Sequence, residues 1–330
     1  MPALLTQMLN SHVRVFCFRF ILIISASALL SLQSLGSECP QQDLEARRLL
    51  EKMTRGYREQ NYSGIFTYEY GAEIQSLSID HNVYNGIENE QLTHLDGELR
   101  TVTRKDHPLN CLHPGHRLVQ FNYHLNDDVG CGLSDYYRFS IESQQRIAGR
   151  ESVQLRVIPR DMYRYGYQFS LDKTSGLLLK SQVIGQKGQV LERFKFSTLR
   201  ITNTADRTIK TIDSGHMASH PQIDYQKEMK SHGIWLMGWV PPGFIRTSLP
   251  ETKNVPIYTY TDGLAVFSVI VEPLEDGLST GSEEGLAQQG AIIAHTRAIR
   301  IDKDVYLITV IGGVPLDAAK LVAAKVKLRG

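Results

Sequence analysis

The sequence predicts an α+β protein: a large curved antiparallel β-sheet with one covering helix, followed by a smaller α+β unit. Three observations carry that prediction. From Arg164 to Phe196, "RYGYQFSLDKTSGLLLKSQVIGQKGQVLERFKF" alternates apolar and polar residues in three runs joined by glycine-containing turns, the pattern of an antiparallel meander with one buried face. One amphipathic helix precedes the strands, little cover for so wide a surface. Between Asn203 and His232 the alternation disappears, and it resumes afterwards in a second set of strands closed by a helix.

Taken in order, Arg14 and Arg19 precede the apolar run "FILIISASALLSL" (Phe20 to Leu32), and small residues follow at Ser34 and Gly36. A basic start, a short apolar core and small residues make a secretory signal, so residues 1–36 are expected to be a cleaved leader and the mature protein exported. The run is shorter than the ~20 apolar residues a membrane span needs. Cys39 suggests a lipoprotein, but Glu38 stands before it where a lipobox wants a small residue.

"LEARRLLEKMTRGYREQ" (Leu44 to Gln60) places Ala46, Leu49, Leu50 and Met53 on one helical stripe. "GIFTYEY" (Gly64 to Tyr70) puts Phe66, Tyr68 and Tyr70 on one strand face. "EIQSLSIDHNVY" and "LRTVTRK" predict two further strands, separated by "NGIENEQLTHLDGE", rich in turn residues. "ESVQLRVI" offers Val153, Leu155 and Val157 to one side. In the opening ribbon Tyr163, Tyr165, Tyr167, Phe169 and Leu171 share a face, "DKTSG" (Asp172 to Gly176) makes a hairpin turn, and Val190, Glu192, Phe194 and Phe196 share a face.

The polar stretch 203–232 predicts a linker between a domain over 37–202 and a smaller one over 233–330. In the second, hairpins are expected around Thr261–Asp262–Gly263 and Asp302–Lys303–Asp304. The final "PLDAAKLVAAKVK" predicts a helix with Pro315 in its first turn and Leu316, Ala319, Ala323 and Val326 facing inward.

With 36 basic and 35 acidic residues in 330, the net charge of +1 gives no bulk attraction to nucleic acid. Export changes how the cysteines read. A Cys111–Cys131 disulfide would close a loop of about twenty residues and stabilise by roughly 3 kcal/mol. The rival is a metal site, since "HPLNCLHPGH" crowds His107, Cys111, His113 and His116; its spacing fits no zinc template, and no metal or cofactor is expected.

Catalytic signatures are scarce. No GxGxxG, P-loop, HExxH or CxxC occurs. "GLSTG" (Gly277 to Gly281) matches a nucleophile elbow around Ser279, but it lies in the Gly/Ser/Glu-rich stretch "EPLEDGLSTGSEEGLAQQG" rather than between a strand and a helix. Most of the eleven histidines lie in polar segments where solvation is expected, and Glu88 and Glu90 sit in the turn-rich stretch. The tyrosines of "YRYGY" suit either a pocket wall or a core. The residues argue for a binder rather than an enzyme.

"LLEKMTRGYREQNYSGIFTYEY", "EQLTHLDGELRTVTR", "RIAGRESVQLRVIPRDMYRYGYQFSLDKTSGLLLKSQVI", "LERFKF", "GWVPPGF", "YTDGLAVFSVIVE" and "VIGGVP" occur in that order. Together they resemble the MucB/RseB family of periplasmic negative regulators of the extracytoplasmic stress sigma factor. The strongest part spans Ile147 to Leu179. The Cys111/Cys131 segment maps onto no motif of the family.

The resemblance implies a LolA-like half-open barrel around an apolar cavity, then a smaller C-terminal domain. It implies binding to the periplasmic part of a membrane-spanning anti-sigma factor, which is thereby shielded from the site-1 protease. It implies release on sensing lipid or lipopolysaccharide. The alternative is a periplasmic lipid or lipoprotein carrier. A homo-oligomer is left open.

On these grounds the residues expected to line the cavity are Phe66, Tyr68, Tyr165, Tyr167, Phe169, Leu177, Leu179, Phe194 and Phe196. Those expected to contact the anti-sigma factor are Arg160, Arg164, Trp235, Trp239 and Phe244, since Arg and Trp favour binding hot spots.

Overall fold

The computed structural model describes residues 40–84, 87–105, 132–202, 235–247, 256–274 and 284–329. The leader, Cys39, Cys111, Cys131, the linker 203–232 and Ser279 lie outside the described residues. The described residues from Pro40 onward belong to one compact unit, built from two lobes that meet along a seam.

The first lobe opens with helix α1 (Gln41–Glu59), which carries Asp43 in its first turn and Arg58 in its last, each favourable to the helix dipole. Nine antiparallel strands follow: β1 (Asn61–Tyr70), β2 (Glu73–Tyr84), β3 (Ile87–His94), β4 (Thr101–Lys105), β5 (Tyr137–Ile147), β6 (Arg150–Pro159), β7 (Gly166–Asp172), β8 (Leu178–Ile184) and β9 (Val190–Thr202). They form one sheet in the order β4-β3-β2-β1-β9-β8-β7-β6-β5, so β9 returns to pair with β1 and leaves β4 and β5 at the two edges. Register shifts at Ile65/Phe66, Glu142/Gln145, Ser170/Leu171 and Val183/Ile184 bend the strands as β-bulges do and give the sheet its curvature.

Alternation decides which face is buried. Phe66, Tyr68, Leu77, Ile79, Leu92, Phe194 and Phe196 point inward and share one core with Ala46, Leu50 and Met53 of α1. Two polar ties fix the helix on this face. Lys52 Nζ donates to the Lys173 carbonyl at 2.7 Å, and the Tyr57 hydroxyl donates to Glu90 Oε2 at 2.6 Å. At the β7–β8 turn Asp172 Oδ1 accepts from the Ser175 amide and hydroxyl, and Oδ2 accepts from Arg150 Nε at 2.6 Å. Burial alone would raise the Asp172 pKa; these bonds outweigh it and hold the carboxyl below its ordinary value.

The second lobe has a six-stranded antiparallel sheet. Its strands are β11 (Ile245–Arg246), β12 (Ile257–Thr261), β13 (Val266–Pro273), β14 (Glu284–Gln289), β15 (Ile292–Ile301) and β16 (Asp304–Gly312), ordered β11-β12-β13-β16-β15-β14. Helix α2 (Leu316–Ala324) buries Ala318, Ala319, Val322 and Ala323 against it. A two-stranded ladder of β10 (Trp235–Met237) and β17 (Val326–Leu328) closes the lobe. Among the described residues no helix is long and apolar enough to cross a membrane.

Five expectations need correcting. The segment taken as turn-rich between β2 and β4 contains strand β3, whose polar composition hid its alternation. Glu90 is buried there, held by Tyr57, and is not a solvated acid. His81 and His295 are likewise buried; His81 Nδ1 lies 2.9 Å from the Gln60 carbonyl, and its ring stacks on Tyr62 at 4.8 Å. The end of the Gly/Ser/Glu-rich stretch is the exposed edge strand β14, and Val326 belongs to β17 rather than to the final helix.

Candidate binding site at the seam between the lobes

Register builds the aromatic face of the first lobe. Phe66 stands opposite Phe196, and Tyr68 opposite Phe194, across β1 and β9. The Phe66 ring meets Phe194 at 4.9 Å and Phe196 edge-on at 5.8 Å, and Tyr167 stacks on Phe169 at 5.7 Å. These offset and edge-to-face contacts suit the ring quadrupoles. All nine residues expected to line a cavity are buried. Most of that face is therefore filled by its own rings and by α1. Ser181 Oγ is buried without a protein hydrogen bond, its residue paired with Phe169 on one neighbouring strand and Phe194 on the other.

A cavity of about 70 Å³ lies instead at the seam. Tyr165, Tyr167, Val183 and Glu192 line it from the first lobe, and Leu264, Ala265, Phe267 and Ala291 from the second. Tyr165 and Tyr167 stand among its walls, and Phe66, Tyr68, Phe169, Leu177, Leu179, Phe194 and Phe196 are buried outside its lining. The cores interlock here: Leu264 and Ala291 are buried in the first lobe's cluster, and Tyr163 packs against the second's. Burial, reinforced by Glu192, pushes the Tyr165 hydroxyl up to about 12. Tyr167 and Tyr137 are raised as well, by burial first and then by Asp262. All three phenols are neutral at physiological pH and able to donate hydrogen bonds.

Polar contacts join the lobes around this seam. Arg164, with a fully buried side chain, spreads its guanidinium over three acceptors. Nε donates to Asp262 Oδ2 at 2.7 Å, Nη1 donates to Asp161 Oδ2, and Nη2 donates to the Pro242 carbonyl. The guanidinium lies 4.7 Å from the Tyr136 ring centroid and 5.0 Å from that of Phe244, within cation–π range. Tyr137 donates to the same Asp262 Oδ2 at 2.8 Å, while Oδ1 accepts from the amides of Leu264 and Ala265. In the cavity lining, Glu192 Oε1 accepts from the Ala291 amide at 2.8 Å.

Two glycines let the backbones meet. Gly243 has φ +82° and a Cβ there would enter the Tyr136 ring. Gly290 has φ +58° and a Cβ would lie 2.7 Å from Glu192 Cγ. Both conformations belong to the left-handed region that glycine enters freely.

The five residues expected to contact a partner divide. Arg164 and Phe244 are buried together at the seam. Trp235 is buried within the second lobe, edge-on to Tyr306 at 5.0 Å. Trp239 is half-buried, edge-on to Tyr163 of the first lobe at 5.0 Å. Arg160 is exposed, with Nε donating to the Ser134 and Tyr137 carbonyls. Sequence reasoning missed Tyr137, Asp262 and Glu192 as seam residues. Glu192 left a signal, an acid on the face of Phe194 and Phe196; Asp262 left none beyond its turn. A second, polar concavity of about 570 Å³ on the outward face of β1, β2, β3 and β9 includes Ser63, Asp80, Thr198 and Arg200. Among the described residues no three His, Cys, Asp or Glu side chains gather as metal ligands would.

Comparison with known proteins places this architecture. The MucB/RseB N-terminal domain matches residues 45–218, and the MucB/RseB C-terminal domain matches residues 229–327. The sigma factor AlgU regulatory protein MucB of Pseudomonas aeruginosa is 31% identical over 314 residues, covering 92% of this chain and 97% of that protein. The sigma-E factor regulatory protein RseB of Escherichia coli strain K12 is 26% identical over 298 residues, covering 84% and 89%. A crystal structure of MucB in complex with MucA(peri) superposes with a TM-score of 0.65 at 31% identity, over 86% of this chain and 99% of that one. With both domains matched in order and a relative of this identity along nearly its whole length, the chain belongs to the MucB/RseB family.

Proposed function

We propose that this protein is an exported regulatory binding protein which binds the periplasmic part of a membrane anti-sigma factor. The observation that carries the proposal is the relative solved in complex with MucA(peri), 99% of whose chain is covered by this one. Relatives described as sigma factor regulatory proteins support the same reading. The finer steps follow from the family: bound anti-sigma factor is shielded from the site-1 protease, and lipid or lipopolysaccharide weakens the complex. Export rests on the leader over residues 1–36, and the domain limits 37–202 and 233–330 on the sequence pattern. Among the proposed contacts, Arg160 and Trp239 keep surface available to a partner. Arg164, Trp235 and Phe244 would act by shaping the seam and the second lobe.

The mature protein should capture the periplasmic segment of the anti-sigma factor encoded in the same genome and slow its cleavage by the site-1 protease. Adding lipopolysaccharide fragments should then reduce the captured fraction. By linkage, the anti-sigma segment must weaken lipid binding by the same factor. Capture that ignores lipid removes the sensing step alone. Failure to capture the segment, with acylated proteins retained instead, would replace the regulator by a carrier.

A further inference from the structure

We propose that the Arg164–Asp262 pair is a latch that holds the two lobes closed over the seam cavity, so that breaking it loosens the whole seam together. The claim concerns the fold and does not depend on which partner is bound.

The first argument is placement. Both side chains of the pair are fully buried, yet they come from different lobes, ninety-eight positions apart. Each is pre-set by its own lobe. Asp161 holds one end of the guanidinium, and the amides of Leu264 and Ala265 hold the far oxygen of Asp262. Neither partner needs to reorganise when the lobes meet.

Energetics comes next. A buried ion pair gives strict geometry but little net stability, because its attraction roughly offsets the loss of hydration. When the seam parts, water rehydrates both charges, so parting costs far less than exposing an apolar core of the same area. The unfilled cavity beside the pair withholds dispersion contacts that a closely packed seam would gain. A contact of this kind specifies one closed arrangement and still releases.

Finally, there is coupling. The Ala291 amide is held by Glu192 from the first lobe, through contacts separate from those of Arg164. Tyr165, Tyr167, Leu264 and Phe267 line the same cavity as Glu192 and Ala291, and the Leu264 amide is held by Asp262. If the lobes move as bodies, loss of the Arg164 contact must loosen the Glu192 contact too.

Hydrogen exchange on the full mature chain tests this. Arg164→Gln should speed exchange at Ala291 by roughly tenfold, as a lowered sub-global opening energy does, while Ile308 and Val310 in the second core stay unchanged. Asp262→Asn should act alike, and the double variant should show less acceleration than the product of the two single effects. Faster exchange confined to Leu264 and Ala265, with Ala291 unaltered, would mean a local contact and overturn the latch. So would single effects that simply multiply. If Arg164→Gln does not fold, Asp262→Asn alone should still speed Ala291 severalfold; no change there would also overturn it.

Discussion

The interior of the first lobe and the seam between the lobes use many of the same residue types to opposite ends. Within the lobe, Phe66, Phe169, Phe194 and Phe196 fill the concave face of the sheet with edge-on and stacked rings against α1. At the seam, Tyr165, just before β7, and Tyr167 within it meet the second lobe across a small void, and directional bonds from Arg164, Tyr137 and Glu192 hold the contact. Dispersion accumulates over many contacts and tolerates no gap; a few buried polar bonds set position without binding tightly. The interior is therefore held by packing, and the seam by a few directional bonds around a void.

The sharpest way to break that contrast is to remove a ring from the interior. Phe169 is fully buried, and Phe169→Ala should cost about 3–5 kcal/mol, the transfer energy of the ring plus the cavity left behind. Chemical denaturation would read it as a lower midpoint at constant slope. An effect below about 1 kcal/mol would mean the face collapses easily and is not the rigid partner in the comparison.

Next in size is the seam backbone. Gly290→Ala forces a Cβ into Glu192 and Tyr70 at a positive φ. It should destabilise by about 1–3 kcal/mol, with the exchange of Ala291 rising more than that of any amide in the β15–β16 core. A uniform loss across the second lobe would place the glycine's role within that lobe instead.

Much of this division was legible in the sequence and some was not. The strands β7, β8 and β9 and their turns announce themselves through period-two alternation and Gly-containing connections, because a sheet with one buried face imposes that pattern. Strand β3 escapes because Glu88, Asn89, Glu90 and Gln91 run together without apolar alternation, and the buried Glu90 accepts from the Tyr57 hydroxyl, thirty-three positions away. The aromatic residues were found, but not their packing. Alternation tells which face a ring occupies; it does not tell whether a helix and neighbouring rings fill the hollow in front of it. The Arg164–Asp262 pair is invisible for a related reason, since its two halves lie in separate lobes and neither carries a local signal of the other.

Alkaline titration should separate the two regions by chemistry. The Tyr165 hydroxyl is held up to about 12 against an ordinary value of 10.0, with burial the main cause. Below pH 10 both folded and unfolded chains keep that proton, and the contribution to stability is complete. Between pH 10 and about 12 the unfolded chain releases the proton while the folded chain retains it, so stability falls as pH rises. Tyr137 and Tyr167, raised likewise, act in the same direction. Lysines titrate in this range too, so the informative quantity is the difference between the native chain and Tyr165→Phe. The variant should lose stability less steeply above pH 10 in denaturation midpoints. Identical slopes would mean that water reaches Tyr165 through the seam.

The smallest effect comes from the same chemistry in the opposite setting. Arg47 and Glu51 form an ion pair one turn apart on α1 at 3.1 Å, with both side chains well exposed at 38% and 49%. Water screens their attraction and holding two long side chains costs entropy, so pairs at this spacing contribute about 0.3–0.5 kcal/mol. Glu51→Ala should lower stability by no more than that and leave exchange at Ala291 untouched. Asp262→Asn breaks a pair of similar length, 2.7 Å, but leaves a buried guanidinium short of a partner, and its effect should appear at the seam rather than in the global midpoint alone. Burial, not bond length, separates the two pairs. Equal responses from both variants would show that water already surrounds Arg164, and would remove the physical basis for treating the seam as a distinct region.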